Sequence, residues 1–496
     1  MEEIELGVNN PPSVGTNSCS LFAKVSWKAT NRLTLTYGLR WEITTPPVST
    51  TAGAPLYVVQ GIFDSKALAT VPGPLWHTRF DNFAPRIGAA YQINSKTVVR
   101  GGGGIFYDLG YGNVGANFLG FPFARSNFLS FSTPVPFDLS NPAFQLPPLS
   151  TAITANTLQL TAVDPNLHSP YTLQWNVAVE RQLGVRQTLT ASYVGSDRRQ
   201  FLRQDTIVPP LFLSFGSGAW VNAIWNAGNS HYDALQVQFQ RQMLHGLQAL
   251  VSYTYAKSSD QGSNDTGSSL VATSVSGIVL PPLSPSDFDL RNSLAAAISY
   301  EVPTLTWGRA AKATLGGWAV DGIARVSSAP PINITAEGLS LVFGPYTTQA
   351  DIVPVQPDWI VDPTQPAGRT LNPAAFSSPP ADMTGNFPRN GLRSPYSINQ
   401  TDLALRRQFS LSERVKLDLR VEYFNVFNHP MFGMPPSQCN PDSSWSSRFG
   451  PSSTFGQVCP GSTTNVEAGE GLPNGQNALY AVGGPRSAQF SLKLLF

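Results

Sequence analysis

The residues best suited to acid–base or metal chemistry are the five histidines, His77, His168, His231, His245 and His429. They stand far apart, and none has the spacing that brings two ligands onto one ion. Most fall in expected loops or at strand edges, where a solvated side chain is the simpler reading. Gly101–Gly104 is a glycine run, but no Lys-Ser/Thr pair follows it, so its backbone is not arranged as a phosphate cradle. Missing side chains there suit close approach by a neighbouring backbone or an inserted domain. Asp260-Gln261-Gly262-Ser263-Asn264-Asp265 offers oxygen ligands without calcium-loop spacing and reads as a polar turn. Nothing nominates a nucleophile beside a histidine and an acid. The expectation is a protein with no catalytic set, no cofactor and no metal centre.

A second group of chemically capable residues is more orderly. Arg40, Glu42, Arg100, Glu180, Asp321, Arg325, Asp402, Arg406, Lys416, Asp418, Arg420 and Glu422 fall mostly in the polar phase of segments that alternate polar and apolar residues. Charges of both signs on one face can pair across strands, hold an inserted domain, or meet a solute. The structural role is the simpler reading for any one of them.

The alternation that positions them recurs along the chain. Leu33, Leu35, Tyr37, Leu39, Trp41 and Ile43 alternate with Thr34, Thr36, Gly38, Arg40 and Glu42. Tyr171–Glu180, Leu235–Gln240, Val415–Tyr423 and Gln489–Phe496 repeat the pattern. Period 2 would scatter apolar groups around a helix, whereas a strand gathers them on one face. Either a soluble sandwich or a membrane barrel could use such strands. Length favours the barrel, because most of these segments run to about 9–11 residues or more, the span of a tilted membrane strand. Connections favour it too. Short turns near residues 30, 94, 183, 244, 303–309 and 411 alternate with long loops at roughly 44–85, 108–169, 196–230, 258–290, 327–397 and 429–484. Short turns on one rim and long loops on the other are what an outer-membrane barrel shows.

Composition agrees. Only 13% of the 496 residues are charged, against about 25% in ordinary soluble proteins. The net charge of +1 argues against a nucleic-acid partner. An apolar content of 42% excludes a charge-rich disordered chain. No stretch approaches the 18 or so apolar residues of a membrane helix. Of the three cysteines, Cys439 and Cys459 share one loop, where pairing and free thiols both stay open, and Cys19 is alone. Met1–Glu5 has neither the basic nor the apolar region of a secretory signal.

Thirteen strands are expected, beginning near residues 20, 32, 86, 96, 170, 185, 231, 246, 291, 310, 397, 413 and 486, with Glu3–Val8 as a candidate fourteenth. A bulge at Gly316-Gly317 would explain a change of apolar phase there. Trp27, Tyr37, Trp41, Tyr107, Tyr171, Trp175, Tyr193, Tyr253, Tyr255, Tyr300, Tyr423 and Phe427 lie on or near the apolar face, several towards strand ends, as girdle residues do.

Particular runs carry a family likeness. They are Asn82-Phe83-Ala84-Pro85-Arg86-Ile87-Gly88, Val99–Asp108, Ser169–Asn176, Asn372-Pro373-Ala374-Ala375-Phe376, Glu422–Pro430, Gly484-Pro485-Arg486 and the terminal Phe496. In this order they resemble the C-terminal barrel of Oar-like TonB-dependent outer-membrane receptors, the type that carries a carboxypeptidase-regulatory-like domain. The resemblance implies a 22-stranded barrel, closed by a plug and energised through a TonB box. This chain shows about 14 strands and no plug, TonB box or signal peptide, so residues 1–496 are expected to be an N-terminally truncated barrel. A stand-alone barrel is the alternative.

The reading is therefore all-β: a transmembrane antiparallel β-barrel with short periplasmic turns and long extracellular loops, in the cell outer membrane of a diderm bacterium. Its expected partners are outer-membrane lipid and, in an intact relative, a plug domain and the TonB energising complex. The expected function is energised uptake of a small solute, glycan or peptide. The rivals are a surface interaction or adhesion protein on the same scaffold and a non-functional fragment.

Overall fold

The computed structural model describes residues 4–9, 12–64, 66–108, 121–129, 150–154, 157, 159–215, 220–263, 278, 280–303, 316–340, 344–364, 368–395, 397–410, 412, 414–429, 445–446 and 486–496. Cys439, Cys459, Asn264, Asp265 and most of the expected turn at 303–309 lie outside the described residues.

Among the described residues, thirteen strands form one continuous path in which each pairs antiparallel with its neighbours along that path. They are β1 (Ser18–Lys28), β2 (Leu33–Thr44), β3 (Arg79–Asn94), β4 (Thr97–Tyr107), β5 (Tyr171–Gly184) and β6 (Gln187–Ile207). Then come β7 (Trp220–Leu244), β8 (Leu247–Asp260), β9 (Asn292–Glu301), β10 (Trp318–Ser327), β11 (Ile398–Ser410), β12 (Lys416–Phe424) and β13 (Ser487–Leu495). Short connections lie near 30, 94, 183, 244 and 411 as expected, whereas β9 ends at Glu301 and β10 begins at Trp318, later than the start expected near 310. His245 (φ 51) and Gly246 (φ 75) make a two-residue hairpin between β7 and β8. Positive φ at both positions gives the primed turn that matches strand twist. A Cβ on Gly246 would sit 2.4 Å from the carbonyl oxygen of Glu301, so only glycine fits.

The apolar phase lies on one face of this sheet and is exposed, with Ile87 at 69% and Leu492 at 66%. A soluble sheet would cover that face; a membrane strand presents it to lipid. The glycines of β4 let the sheet close up, as their missing side chains suggested. A Cβ at Gly102 would stand 2.9 Å from the Ile87 carbonyl oxygen, and one at Gly103 would stand 3.0 Å from that of Gln174.

Four expectations need correction. Ile4–Asn9 is no fourteenth sheet strand; it pairs with Ala124–Leu129 in a separate two-stranded sheet. Gly316-Gly317 is a turn, with Gly317 at φ 76, and β10 starts after it at Trp318. The span 44–85 is not wholly loop, because β3 begins at Arg79. The span 196–230 is largely strand, because β6 and β7 run for 21 and 25 residues. The reason for the last is packing. Beyond a register shift at Arg198–Leu202, with Gln200 at φ 57, the two strands leave the apolar–polar regime. Their upper parts bury Ile207, Val221 and Ala223 in a core with Val59, Ile62, Leu160 and Phe212. Burial on both faces erases the alternation that would have revealed them as strands.

The long loop between β10 and β11 also has its own core. Ile332, Ile334, Ala350, Leu371, Phe376 and Phe387 pack together, with the two phenylalanine rings edge to face at 5.5 Å. Asn372 accepts from the Ala374 N–H at 3.1 Å and caps the short turn Pro373–Ala375, which delivers Phe376 to that core.

Candidate functional site

On the polar face, β9 to β12 gather four of the charged residues singled out by alternation. Arg406 Nε donates to Asp321 Oδ2 at 3.1 Å, and its Nη2 reaches Ser299 Oγ at 3.3 Å and Glu301 Oε1 at 3.5 Å. Ser299 Oγ donates to Asp321 Oδ1 at 2.7 Å. Arg420 Nε donates to Glu422 Oε1 at 2.9 Å, and its Nη1 lies 3.9 Å from Asp321. Register explains the meeting. Asp321 stands opposite Ala404 and Arg406 opposite Ala319, so two methyl groups leave the diagonal clear for the long guanidinium. The participating side chains are a fifth to a half exposed. Pairs this wet are worth only about 0.2–1 kcal/mol each, so they arrange the wall more than they stabilise it.

The other candidates pair locally or stand apart. Arg40 Nε is 2.5 Å from Glu42, which is 5% exposed, and Arg100 lies 3.8 Å from Glu180. Asp402 accepts from Gln400 at 3.0 Å and from the Asn425 N–H at 2.8 Å, holding the end of β12 rather than joining the cluster. Arg325 stands between Ala295 and Gln400, Asp418 between Gln408 and Lys493, and Lys416 between Ser410 and Leu495. Arg86 was not among the candidates, yet it stacks over the Phe106 ring at 4.3 Å. Its place in the polar phase of β3, beside the glycine run, was the available signal.

Two histidines depart from the solvated-loop reading. His231 Nε2 lies 2.5 Å from Asp233 Oδ2 within β7. His168 is half-buried, and its Nδ1 is 3.0 Å from Arg79 Nη2. Burial and then the Arg79 charge hold its pKa below the usual histidine value. The neutral ring therefore accepts from Arg79, which also donates to Asp81 at 2.7 Å. A small cleft there is lined by Thr44, Trp76, Asp108 and Leu202 as well.

The loops hold charge pairs that the alternation did not reveal. Arg203 and Asp205 are buried together near the top of β6, where Trp225 Nε1 also donates to Asp205 at 2.7 Å. Arg389 contacts Asp260 and Asp287, Arg393 contacts Asp289, and Asn390 Nδ2 donates to Asp287 at 2.6 Å. Burial pushes the Asp260 carboxyl above its ordinary range, against the pull of Arg389. The partners of Arg389, Asn390 and Arg393 are more than 100 residues away, and no spacing rule reaches that far. Among the described residues no three His, Cys, Asp or Glu side chains are grouped to hold a metal ion.

The polar face, the exposed apolar face and the meander of thirteen strands agree with what sequence comparison finds. The family described as "Outer membrane beta barrel domain" matches residues 5–467. The chain belongs to that family. No curated protein matches it. Among solved structures, it is similar to the ferric-catecholate import receptor Fiu from E. coli K12 at 11% identity and TM-score 0.44, over 97% of this chain and 45% of that one. It is similar to the outer-membrane transporter YddB from Escherichia coli at 10% identity and TM-score 0.45, over 84% of this chain and 51% of that one. It is also similar to the copper transporter OprC, at 12% identity and TM-score 0.40, over 90% of this chain and 47% of that one. The chain thus spans about half the length of these structures. As an outer-membrane β-barrel domain it resides in the outer membrane, with its apolar face against lipid.

Proposed function

We propose that this barrel domain is part of a TonB-dependent transporter that takes up a solute across the outer membrane. The observation that carries the proposal is the charged ladder of Ser299, Glu301, Asp321, Arg406, Arg420 and Glu422. It lies on the face that a barrel turns inward, together with Arg40, Glu42, Arg100, Glu180, Arg325, Asp402 and Asp418. Such a wall suits an inserted plug domain, which needs charged and hydrogen-bonding groups to hold it and must leave when energy is supplied. Ion pairs this exposed are weak enough to exchange.

The sheet supports a larger barrel. β1 and β13 are the ends of the pairing path among the described residues. With thirteen antiparallel strands they run in the same direction. Antiparallel closure therefore needs an odd number of further strands between them, and we infer that residues 1–496 form one arc of a barrel with a plug and a TonB box.

The test is solute uptake by cells making the intact protein, with and without the energising complex of the inner membrane. Uptake that disappears with the complex supports the proposal. Uptake that persists without it overturns energised transport. A second reading, a surface interaction protein, draws on the folded loop cores around Phe212 and Phe376. It predicts binding to a surface with no solute accumulation.

A further inference from the structure

The charges of the polar face are unevenly distributed. They occur on β1 to β5 and again on β9 to β13, several of them in pairs such as Arg40–Glu42 and Arg406–Asp321. Between these arcs, the membrane-spanning parts of β6, β7 and β8 carry none in the same phase. Three rows fill the gap: Ser192–Gln236–Thr254, Thr190–Gln238–Ser252 and Thr188–Gln240–Leu250. Gln236, Gln238 and Gln240 are exposed, at every second position of β7.

We propose that this uncharged arc is a binding track for a neutral, hydroxyl-rich solute of the oligosaccharide class. The inference rests on the transporter reading and narrows it. Side chains two apart on a strand recur about every 6.8 Å, and neighbouring strands are about 4.8 Å apart. The arc is therefore a grid of amides and hydroxyls. An amide has two donors and a two-lone-pair acceptor, and a hydroxyl both donates and accepts. Sugar hydroxyls do the same, so each can be satisfied from either neighbour as the solute shifts along the wall. A charged solute finds no counter-ion here and would lose hydration without recompense. A protein segment with ordinary surface charge is better matched by the two flanking arcs. The links already present within the rows are slight: Gln238 Nε2 meets Ser252 Oγ at 3.3 Å, near the limit of a hydrogen bond. Gln236 also hydrogen-bonds Tyr232, and each amide, with two donors and an acceptor, keeps capacity for a solute.

The experiment is saturation-transfer NMR on the intact protein in detergent, with maltohexaose as the neutral probe and hexagalacturonate as an anionic probe of the same length. Transfer to maltohexaose should exceed transfer to hexagalacturonate. It should fall at least fivefold in the triple variant Gln236→Ala, Gln238→Ala, Gln240→Ala. Heat-modifiable migration checks that the triple variant keeps its sheet. The milder pair Thr190→Val, Ser252→Ala preserves side-chain shape and should weaken transfer in the same direction. No transfer to maltohexaose in the parent protein, transfer in both variants equal to the parent's, or a preference for hexagalacturonate would each overturn the proposal. A triple variant whose only change is altered protease protection of an inserted domain would overturn it too, and would give the arc to that domain. The measurement needs no energising complex, so its failure is distinct from a failure of energised uptake.

Discussion

Arg203 and Asp205 lie side by side on β6 with Nη2 2.7 Å from Oδ1, and their side chains are 2% and 0% exposed. Ten residues earlier on the same strand, the Tyr193 ring is 45% exposed on the apolar face. One strand thus passes from a lipid-facing ladder into a protein core, and the ion pair marks the far side of that passage. Arg203 also donates to the Gln261 carbonyl oxygen at 2.8 Å, tying the core to the loop after β8.

Asp205→Ala should therefore unfold the outer part selectively. It strands both the buried guanidinium and the Trp225 N–H. Removing one partner of a buried pair costs about 3–5 kcal/mol. Limited proteolysis should cut within residues 150–230 while heat-modifiable migration of the sheet is retained. A digestion pattern identical to the parent would contradict the structural role given to the pair.

The loop core around Phe376 is fastened to the neighbouring loop by Arg389 and Arg393. Arg389→Ala with Arg393→Ala leaves Asp260 and Asp289 without these cations, and by the same buried-pair rule should cost about 3 kcal/mol or more. Cleavage within 331–393 should become much faster in the double variant. Cross-linking between cysteines placed on the two loops gives an independent reading.

Neighbouring positions on β7 should respond oppositely to charge. Val237 belongs to the apolar phase and Gln238 to the polar one. Val237→Arg should destabilise by about 2–4 kcal/mol, the cost of arginine against lipid near the bilayer midplane. Gln238→Arg should be nearly neutral. Urea midpoints in lipid vesicles measure the contrast, and equal effects would sink the assignment of faces.

His168 makes the outer cleft acid-sensitive. Its folded pKa is depressed, so below the usual value of about 6.5 the unfolded chain binds more protons than the folded one. The contribution is fully present above that value and is lost as pH falls through the lower folded pKa. His168→Gln, which keeps an acceptor for Arg79 but does not titrate there, should flatten the stability profile between pH 6.5 and the acid limb. Thermal unfolding at stepped pH checks it; profiles of equal slope would remove His168 as the cause.

Much of the architecture was legible because alternation is a local property. Leu33–Ile43 and Val415–Tyr423 show by parity alone which residues share a face, and that parity placed Asp321, Arg406, Arg420 and Glu422 on one wall. Low charge and long strands then pointed to lipid as the neighbour of the other face. The turns at Thr30 and His245 were readable for the same reason, since a hairpin is decided by a few adjacent residues.

What parity does not contain is who meets whom across distance. Nothing in the chain from Asp260 to Arg389 announces that a loop 129 residues on supplies the guanidinium. The upper ends of β6 and β7 were invisible as strands because burial on both faces removes alternation. The sequence by itself determined the faces of the sheet, the order of its strands and the residues that share its polar phase. Tertiary structure alone decided the register that joins Arg406 to Asp321 past Ala404, the loop cores and the ion pairs between loops, because those depend on which segments are brought together in space.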